Sequence, residues 1–496
     1  MSRASNLLLA LLMITACWLA DALLRSRIAW YINFMALIRP FSLVCRLSCG
    51  VFVLSLLAAF LTGLPGVAYP LPARAARLAE SSAGKIIYVD KRKTGGLNNG
   101  QSWADAYLIL QSAIDAAVPG DQIWIAEGIY LPTRRTATDM RSKTFLLSSG
   151  VAMYGSFLGN ETNLSQRAWR SHPTVLSGDL AGDDVGFTNN TENSFHVLIS
   201  EAVTETARLD GFIIQGGNAN GSPPDSYGGG WYNKSGNPSL VNLIFYQNYA
   251  LSGGGLFNDY ADSLIVNCAW IGNRAEFGGG VDNFHSSPIF VTPLFSGNYA
   301  EIRAGAIFSS YSNPTVTNGT VGFNFAADTV VYPGALLNNN GSLLILNNSI
   351  LWGNGDYQIS NVDSSTSELY YSLIQDTPSQ TSCNVPSITC YGVKLNVDPQ
   401  FVDPPGFDTI IGTLDDNERL KITSPAINAG SNSLTPLDEL DINYNGDYTE
   451  KLPYDLDNTW RFAQAVSGYI GSGTPPIVDM GAYETKAVVY LPTIRK

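Results

Sequence analysis

The chain has 496 residues, of which 14% are charged against about 25% in an average soluble domain, and its formal net charge is −13. The N-terminal stretch hides part of the imbalance: residues 1–68 hold Arg3, Arg25, Arg27, Arg39 and Arg46 against Asp21 alone, so the remainder is more acidic still. Such acidity excludes nucleic acid and anionic membrane as partners and is compatible with calcium, neutral glycans or simple solubility.

Residues 1–75 read as a leader. An apolar run at 7–20 precedes Ile14-Thr15-Ala16-Cys17, which is similar to a lipoprotein cleavage box. A second run, Val51 to Leu64, leads to Gly66-Val67-Ala68 and then Ala73-Arg74-Ala75, small residues of the kind signal peptidase needs. The second run is short for a membrane span. The expectation is a true start at Met35 and a secretory signal ending near Ala68 or Ala75, with a retained membrane anchor as the other reading.

Next come a strand at Ile86–Asp90 and a Gly/Asn turn. Ser102 and Asp105 are spaced as a capping pair ahead of an amphipathic helix, whose apolar face is Trp103, Ala106, Tyr107, Leu110, Ala113, Ile114 and Ala117. Pro119-Gly120 ends it. Strands follow at Gln122–Tyr130, Thr144–Leu147, Val151–Phe157, Thr174–Ser177, Phe195–Ser200 and Ala207–Gln215, separated by long polar excursions.

From Gly228 the chain repeats. Gly228-Gly229-Gly230-Trp231-Tyr232-Asn233 recurs from Gly253, Gly278, Ala304 and Pro333, at spacings of 25, 25, 26 and 29 residues. This is the signature of a solenoid. Apolar residues fall in columns: Leu240, Ile265, Phe290, Val316 and Ile345 in one, Phe245, Trp270, Phe295, Val321 and Ile350 in another. Between them Asn242, Asn267, Thr292, Asn318 and Asn347 mark a short turn, where side-chain amides are expected to stack from coil to coil. A second Asn column is Asn248, Asn273, Asn298 and Asn324. A leucine-rich horseshoe lacks its leucines here, and a propeller blade needs roughly 40 or more residues. A last strand is expected at Glu368–Ile374. Residues 397–484 are Pro-, Asp- and Asn-rich, with anchors at Phe401, Leu420, Ile422, Ala426, Ile427 and Met480, and read as a C-terminal cap; 485–496 is a tail.

Cys383 and Cys390 are seven apart in a polar loop and would close a small disulfide in an oxidising compartment. Cys268, inside a repeat, reads as a small buried apolar residue.

Several stretches together resemble a known family. Ile86–Asp90, Asn99-Gly100-Gln101-Ser102-Trp103-Ala104-Asp105-Ala106, Gly120–Tyr130, Val151–Phe157 and Leu209-Asp210-Gly211-Phe212-Ile213-Ile214 are similar to the opening coils of secreted bacterial right-handed parallel β-helix repeat proteins of the pectate-lyase-like superfamily. Ser424–Gly430 and Asp479-Met480-Gly481-Ala482-Tyr483-Glu484 resemble the closing motifs of its choice-of-anchor group, with Asn428 in place of the usual acid. The resemblance implies an all-β, right-handed parallel β-helix over 86–396 with an N-terminal capping helix, export, and an extracellular or cell-surface life. It implies no reaction.

The residues decide little about catalysis. Asp183-Asp184 and Asp415-Asp416 are paired acids of the sort hydrolysis uses, but each sits among turn residues and reads as solvated. Arg274 with Glu276 and Arg303 with Glu301 read as surface ion pairs rather than as a lyase base. His172 and His196 read as structural. No catalytic residue is assigned. Asp441-Ile442-Asn443-Tyr444-Asn445-Gly446-Asp447 has oxygen ligands spaced as in the start of an EF-hand loop, so calcium is a candidate at Asp441, Asn443, Asn445 and Asp447, although position 12 is Leu452. Outward aromatics at shared offsets (Tyr232, Phe257 and Phe308; Tyr260 and Tyr311 flanking His285; Tyr249, Tyr299 and Phe325) are glycan-binding candidates. The expected function is a non-catalytic exported scaffold that contacts extracellular polysaccharide or cell-surface matrix, with a polysaccharide lyase or hydrolase as the alternative.

Overall fold

A computed structural model describes residues 84–327, 335–355, 357–375, 383, 385–463 and 470–485. The leader, the tail beyond Thr485 and the start of the fifth repeat at Pro333 lie outside them. The described chain is a right-handed parallel β-helix. One parallel sheet of 19 strands, a second of eight and a third of five run along it. A typical coil crosses Trp231–Lys234 in the second sheet, Ser239–Tyr246 in the first and Tyr249–Ser252 in the third. The next coil pairs with it in register, Trp231 with Leu256, Leu240 with Ile265 and Tyr249 with Arg274.

The predicted columns form the core. Leu240, Ile265, Phe290 and Val316 are fully buried, as are Phe245, Trp270, Phe295 and Val321. The rings stack along the axis, Phe245 to Trp270 at 5.1 Å and Trp270 to Phe295 at 4.6 Å. Each such side chain contributes roughly 1.5–3 kcal/mol by leaving water. In the fifth coil the columns continue through Leu346 and Leu351, one residue later than Ile345 and Ile350. The shift arises at the turn Asn340-Gly341, both at positive φ, which holds one more residue than the turns before it. Cys268 is buried.

The stacked amides are not where the sequence placed them. Asn242, Asn267, Thr292 and Asn318 sit at positive φ at a bend of the first sheet, a conformation Asn tolerates, and form no amide chain. The second column forms it instead. Asn248 donates to Asn273 (3.0 Å), Asn273 to Asn298 (2.9 Å), Asn298 to Asn324 (2.8 Å) and Asn324 to Asn354 (2.9 Å). Another ladder, at the end of the second sheet, runs Asn233, Asn258, Asn283, Ser309.

The helix, α1 (Leu110–Ala116), is half the expected length. Ser102 and Asp105 do hydrogen-bond each other, but in a turn. Tyr107 is held extended by backbone bonds to Tyr88 and Asp90, which stops the helix from starting earlier. Leu110, Ala113 and Ile114 pack on Ile87 and Ile123 of the first coils.

Residues 397–484 do not simply cap the end. Their described residues, 397–463 and 470–484, run back along the outer side of the first sheet. Leu440, Ile442 and Leu452 cover Val241, Leu264, Val266 and Val291, while Leu456, Ala482 and Tyr483 cover Ala269, Ile271 and Leu294. Of the expected anchors, Phe401, Leu420, Ala426, Ile427 and Met480 are buried, whereas Ile422 is 52% exposed. Buried polar bonds fix the cover. Arg167 and Arg208 both pair with Asp210, and Tyr444 bonds the same carboxylate at 3.1 Å. In the closing motif Asp479 accepts the backbone N–H groups of Asn428 (2.7 Å) and Thr485 (2.8 Å), and Asp455 accepts that of Glu484 (2.8 Å). These acids act as backbone acceptors.

Candidate functional site

Between the first sheet and its cover lies a cleft of about 510 Å³. Its floor is Phe212, Ile244, Ile271 and Leu294 from successive coils, with Leu456 and Tyr483 from the cover. The period-2 geometry of strands explains the floor: the outward residues of these triplets are as apolar as the inward ones, so both faces seek burial. Two guanidinium–aromatic pairs stand at its rim, Arg170 over Trp169 (4.7 Å) and Arg419 over Tyr483 (4.7 Å). Asp457 joins them, 3.1 Å from Arg170 and in direct contact with Arg419.

One wall of the cleft carries Asp415 and Asp416, and Asp416 is bonded to a buried group behind it. Ser296 Oγ lies 2.7 Å from Asp416 Oδ2 and also contacts Glu418 Oε1. The Ser296 hydroxyl, with one proton to give, is shared between the two carboxyl groups. Burial pushes the Glu418 pKa up to about 7, against the lowering effect of the Ser296 bond. Burial also raises Asp416, which accepts from Gly412 N (2.8 Å) as well. Asp416 is therefore not the solvated turn residue expected. Asp415 is exposed and bonded to Thr413 (2.7 Å). Asp183 is exposed, but Asp184 is partly withdrawn from water, and burial with Asp179 and Glu192 pushes it up to about 6.

The aromatic candidates divide. Tyr232, Phe257 and Phe308 are buried, contrary to expectation. Tyr227 stacks on Phe257 at 4.8 Å and Phe277 packs on Phe308 at 6.0 Å, so neighbouring segments roof this column. Asp282, in the same column, is buried with them and pushed up to about 8. Tyr260 and Tyr311 are exposed, at 57% and 52%. They sandwich His285 with ring centroids 4.6 Å apart on both sides and planes within 7°. The stack takes both faces of His285 and one face of each tyrosine. Tyr299 and Phe325 stack at 5.8 Å on the third sheet, where Arg274 lies over Tyr299 (5.5 Å) and Phe187 (4.6 Å). Arg274 is held by rings and, among the described residues, makes no ion pair with Glu276.

The other predicted sites are placed plainly. Cys383 and Cys390 are joined by a disulfide. In the Asp441 loop, Asp441 accepts from Asn445 N (2.8 Å), Asn443 from Asn445 N (3.2 Å) and Asn445 from Asp447 N (2.7 Å), while Asp447 accepts from Thr449 N (2.9 Å). The candidate ligand oxygens are thus engaged in the loop's own turns. His172 contacts Glu127 at 2.9 Å and His196 faces the Gly228 carbonyl at 3.0 Å, both as structural groups.

No family model and no curated protein matches the chain. Among solved structures it is similar to pectate lyase Pel9A, at 14% identity and a TM-score of 0.44, over 82% of this chain and 98% of that one. It is also similar to the pectin methylesterase PemA from Erwinia chrysanthemi (10% identity, TM-score 0.30, 64% and 90% covered) and to a rhamnogalacturonan lyase (14%, 0.23, 60% and 69%). The fold assignment rests on the parallel sheets.

Sequence reading passed over Trp169, Ser296, Glu418, Arg419 and Asp457. The cleft joins residues more than 100 positions apart, and no local spacing marks it. The one available signal was the all-apolar triplet Ala269-Trp270-Ile271, which announces a strand covered on both faces.

Proposed function

We propose that this protein is an exported β-helix that binds polysaccharide at the cell surface in the lateral cleft and does not cleave it. The cleft itself carries the reading. Its volume falls within the roughly 300–1,000 Å³ of small-ligand sites. It offers an apolar floor for a sugar's C–H face and a rim of Trp169, Arg170, Asn417 and Arg419 for ring contact and hydroxyl groups. The Cys383–Cys390 disulfide supports life in an oxidising compartment.

The state of the charged groups favours binding over turnover. Glycoside hydrolysis needs two carboxyl groups flanking the scissile bond. Asp416 and Glu418 share one hydroxyl, Glu418 is wholly buried behind the wall, and Arg170 and Arg419 are both tied to the one carboxylate of Asp457. One observation favours a second reading, a hydrolase or lyase: a carboxyl held near pH 7 beside a cleft is what a general acid requires.

Incubating the full chain with a panel of plant, algal and bacterial polysaccharides separates the two. Retarded migration in affinity gels without new reducing ends or unsaturated products supports binding. Product formation that Glu418→Gln abolishes would establish the second reading. A panel that neither binds nor reacts removes the cleft as a glycan site.

A further inference from the structure

A second polar site lies away from the cleft, in the excursion that follows Thr174–Ser177. Asp179, Asp184 and Glu192 bring one carboxylate oxygen each within 4.8 Å of one another. Asp179 is oriented by the backbone N–H groups of Gly182 (2.6 Å) and Asp184 (3.2 Å). Among the described residues no Lys or Arg forms an ion pair with any of the three. Asp184 Oδ1 and Glu192 Oε1 are shut off from solvent without a hydrogen-bond partner. Leaving charged oxygens so is costly unless a cation joins them.

Asn193 supplies an independent indication. It is 1% exposed, and its Nδ2 is wedged between Asp184 Oδ2 (2.7 Å) and the Gly216 carbonyl (2.8 Å). Its Oδ1 has no partner at all. The amide nitrogen points into the cluster, against two oxygens. Turning the amide by 180° gives up those two donor bonds, costs the unpartnered Oδ1 nothing, and sets it beside both oxygens as a third ligand. Oxygens at such separations repel one another alone, but are normal neighbours in a shell with metal–oxygen distances of about 2.3–2.6 Å. Gly216 is fitted to this approach. Its φ is +71°, and a Cβ there would stand 3.1 Å from Asp179 N and 3.5 Å from Asp184 Oδ2.

We propose that Asp179, Asp184 and Glu192, with Asn193 Oδ1 and the Gly216 carbonyl, form a calcium-binding site. Five oxygen donors of mixed type, three of them carboxylates, suit calcium, which accepts six to eight hard oxygens in flexible geometry; magnesium demands a tighter octahedron and retains its water. The Asp441 loop differs in the decisive respect. Turning Asn443 or Asn445 there would break a turn hydrogen bond that its Oδ1 already accepts. Binding at the Asp184 site would order the loop that carries Phe187, and through Phe187 the face of Arg274.

Calorimetry on the full chain, stripped with EDTA, tests this. The expected result is calcium binding at a site of Kd about 10⁻⁴–10⁻³ M, the range of extracellular modules, with magnesium at least about tenfold weaker. Asp184→Asn and Glu192→Gln each weaken calcium by about tenfold or more, and Asp441→Asn leaves it unchanged. Circular dichroism in EDTA confirms that the variants fold. Independently of any variant, calcium slows hydrogen exchange in residues 178–193 of the wild-type chain. Absence of binding, binding that survives Asp184→Asn with Glu192→Gln, loss through Asp441→Asn, or unaltered exchange in that loop would each overturn the proposal.

Discussion

Glu418 accepts a hydrogen bond from Ser296 across 122 residues of sequence, in a site where burial raises its pKa. Its pKa of about 7 exceeds the ordinary 4.5, so the folded chain holds a proton that the unfolded chain releases between those values. Stability from this group is therefore fully present below pH 4.5, falls as the pH rises towards 7, and is lost above it. At about 1.4 kcal/mol per pH unit the loss approaches about 3 kcal/mol. Glu418→Gln, which is uncharged at every pH, is expected to raise Tm at pH 8 and match the wild type near pH 4. Asp416 titrates in the same direction, so a shallower slope remains. Melting curves from pH 4 to 9 check this.

Asp210 balances two buried cations, Arg167 and Arg208. Asp210→Asn leaves both without a counter-charge and is expected to cost about 3–5 kcal/mol. Because Tyr444 bonds the same carboxylate, limited proteolysis should cut residues 437–460 faster in the variant. Urea denaturation gives the magnitude.

The two asparagine columns should respond differently. Asn273→Ala removes an acceptor from the amide and backbone N–H of Asn248, both buried, and a donor from Asn298. At roughly 1–3 kcal/mol for each group left unmade, a loss of about 2–5 kcal/mol follows. Asn267→Gly keeps the positive φ of 54° and should change stability by less than about 1 kcal/mol. Equal losses in denaturant titrations would show that the ladder has no special weight.

Glycan binding should follow the cleft and not the exposed ring stack. With whichever polysaccharide binds, Trp169→Ala is expected to weaken binding by about tenfold, since ring contacts are worth roughly 0.5–1.5 kcal/mol in addition to their buried area. Tyr311→Ala should change it less than about twofold. The reverse order, read in affinity gels, would move the site to the Tyr260–His285–Tyr311 corner.

The solenoid was legible because its columns recur at nearly constant spacing, and inward residues such as Trp270 and Phe295 need only that spacing to meet. Within a column, however, spacing does not reveal backbone conformation. Asn267 and Asn273 look alike in sequence, yet one bends the sheet at positive φ and the other joins the amide chain. Outward positions were harder still: Phe257 is covered because Tyr227 folds onto it, while Tyr260 three residues later is bare. The single-residue slip at Asn340-Gly341 passed unnoticed since a turn absorbs it. The cleft was invisible, because Ser296, Asp416 and Glu418 meet only when the C-terminal segment returns along the sheet.

That returning segment alters how the array must be made. In a simple solenoid each coil depends on its neighbours, and the structure can grow from one end. Here Tyr444 locks onto Asp210, Leu452 onto the coils of Val241 to Val291, and Met480 onto Ile350. Coils made early are sealed by residues made long after them. The rod therefore closes as one cooperative body after its C-terminal part has emerged, and until then the apolar strip from Val241 to Leu294 stands open to whatever else is apolar nearby.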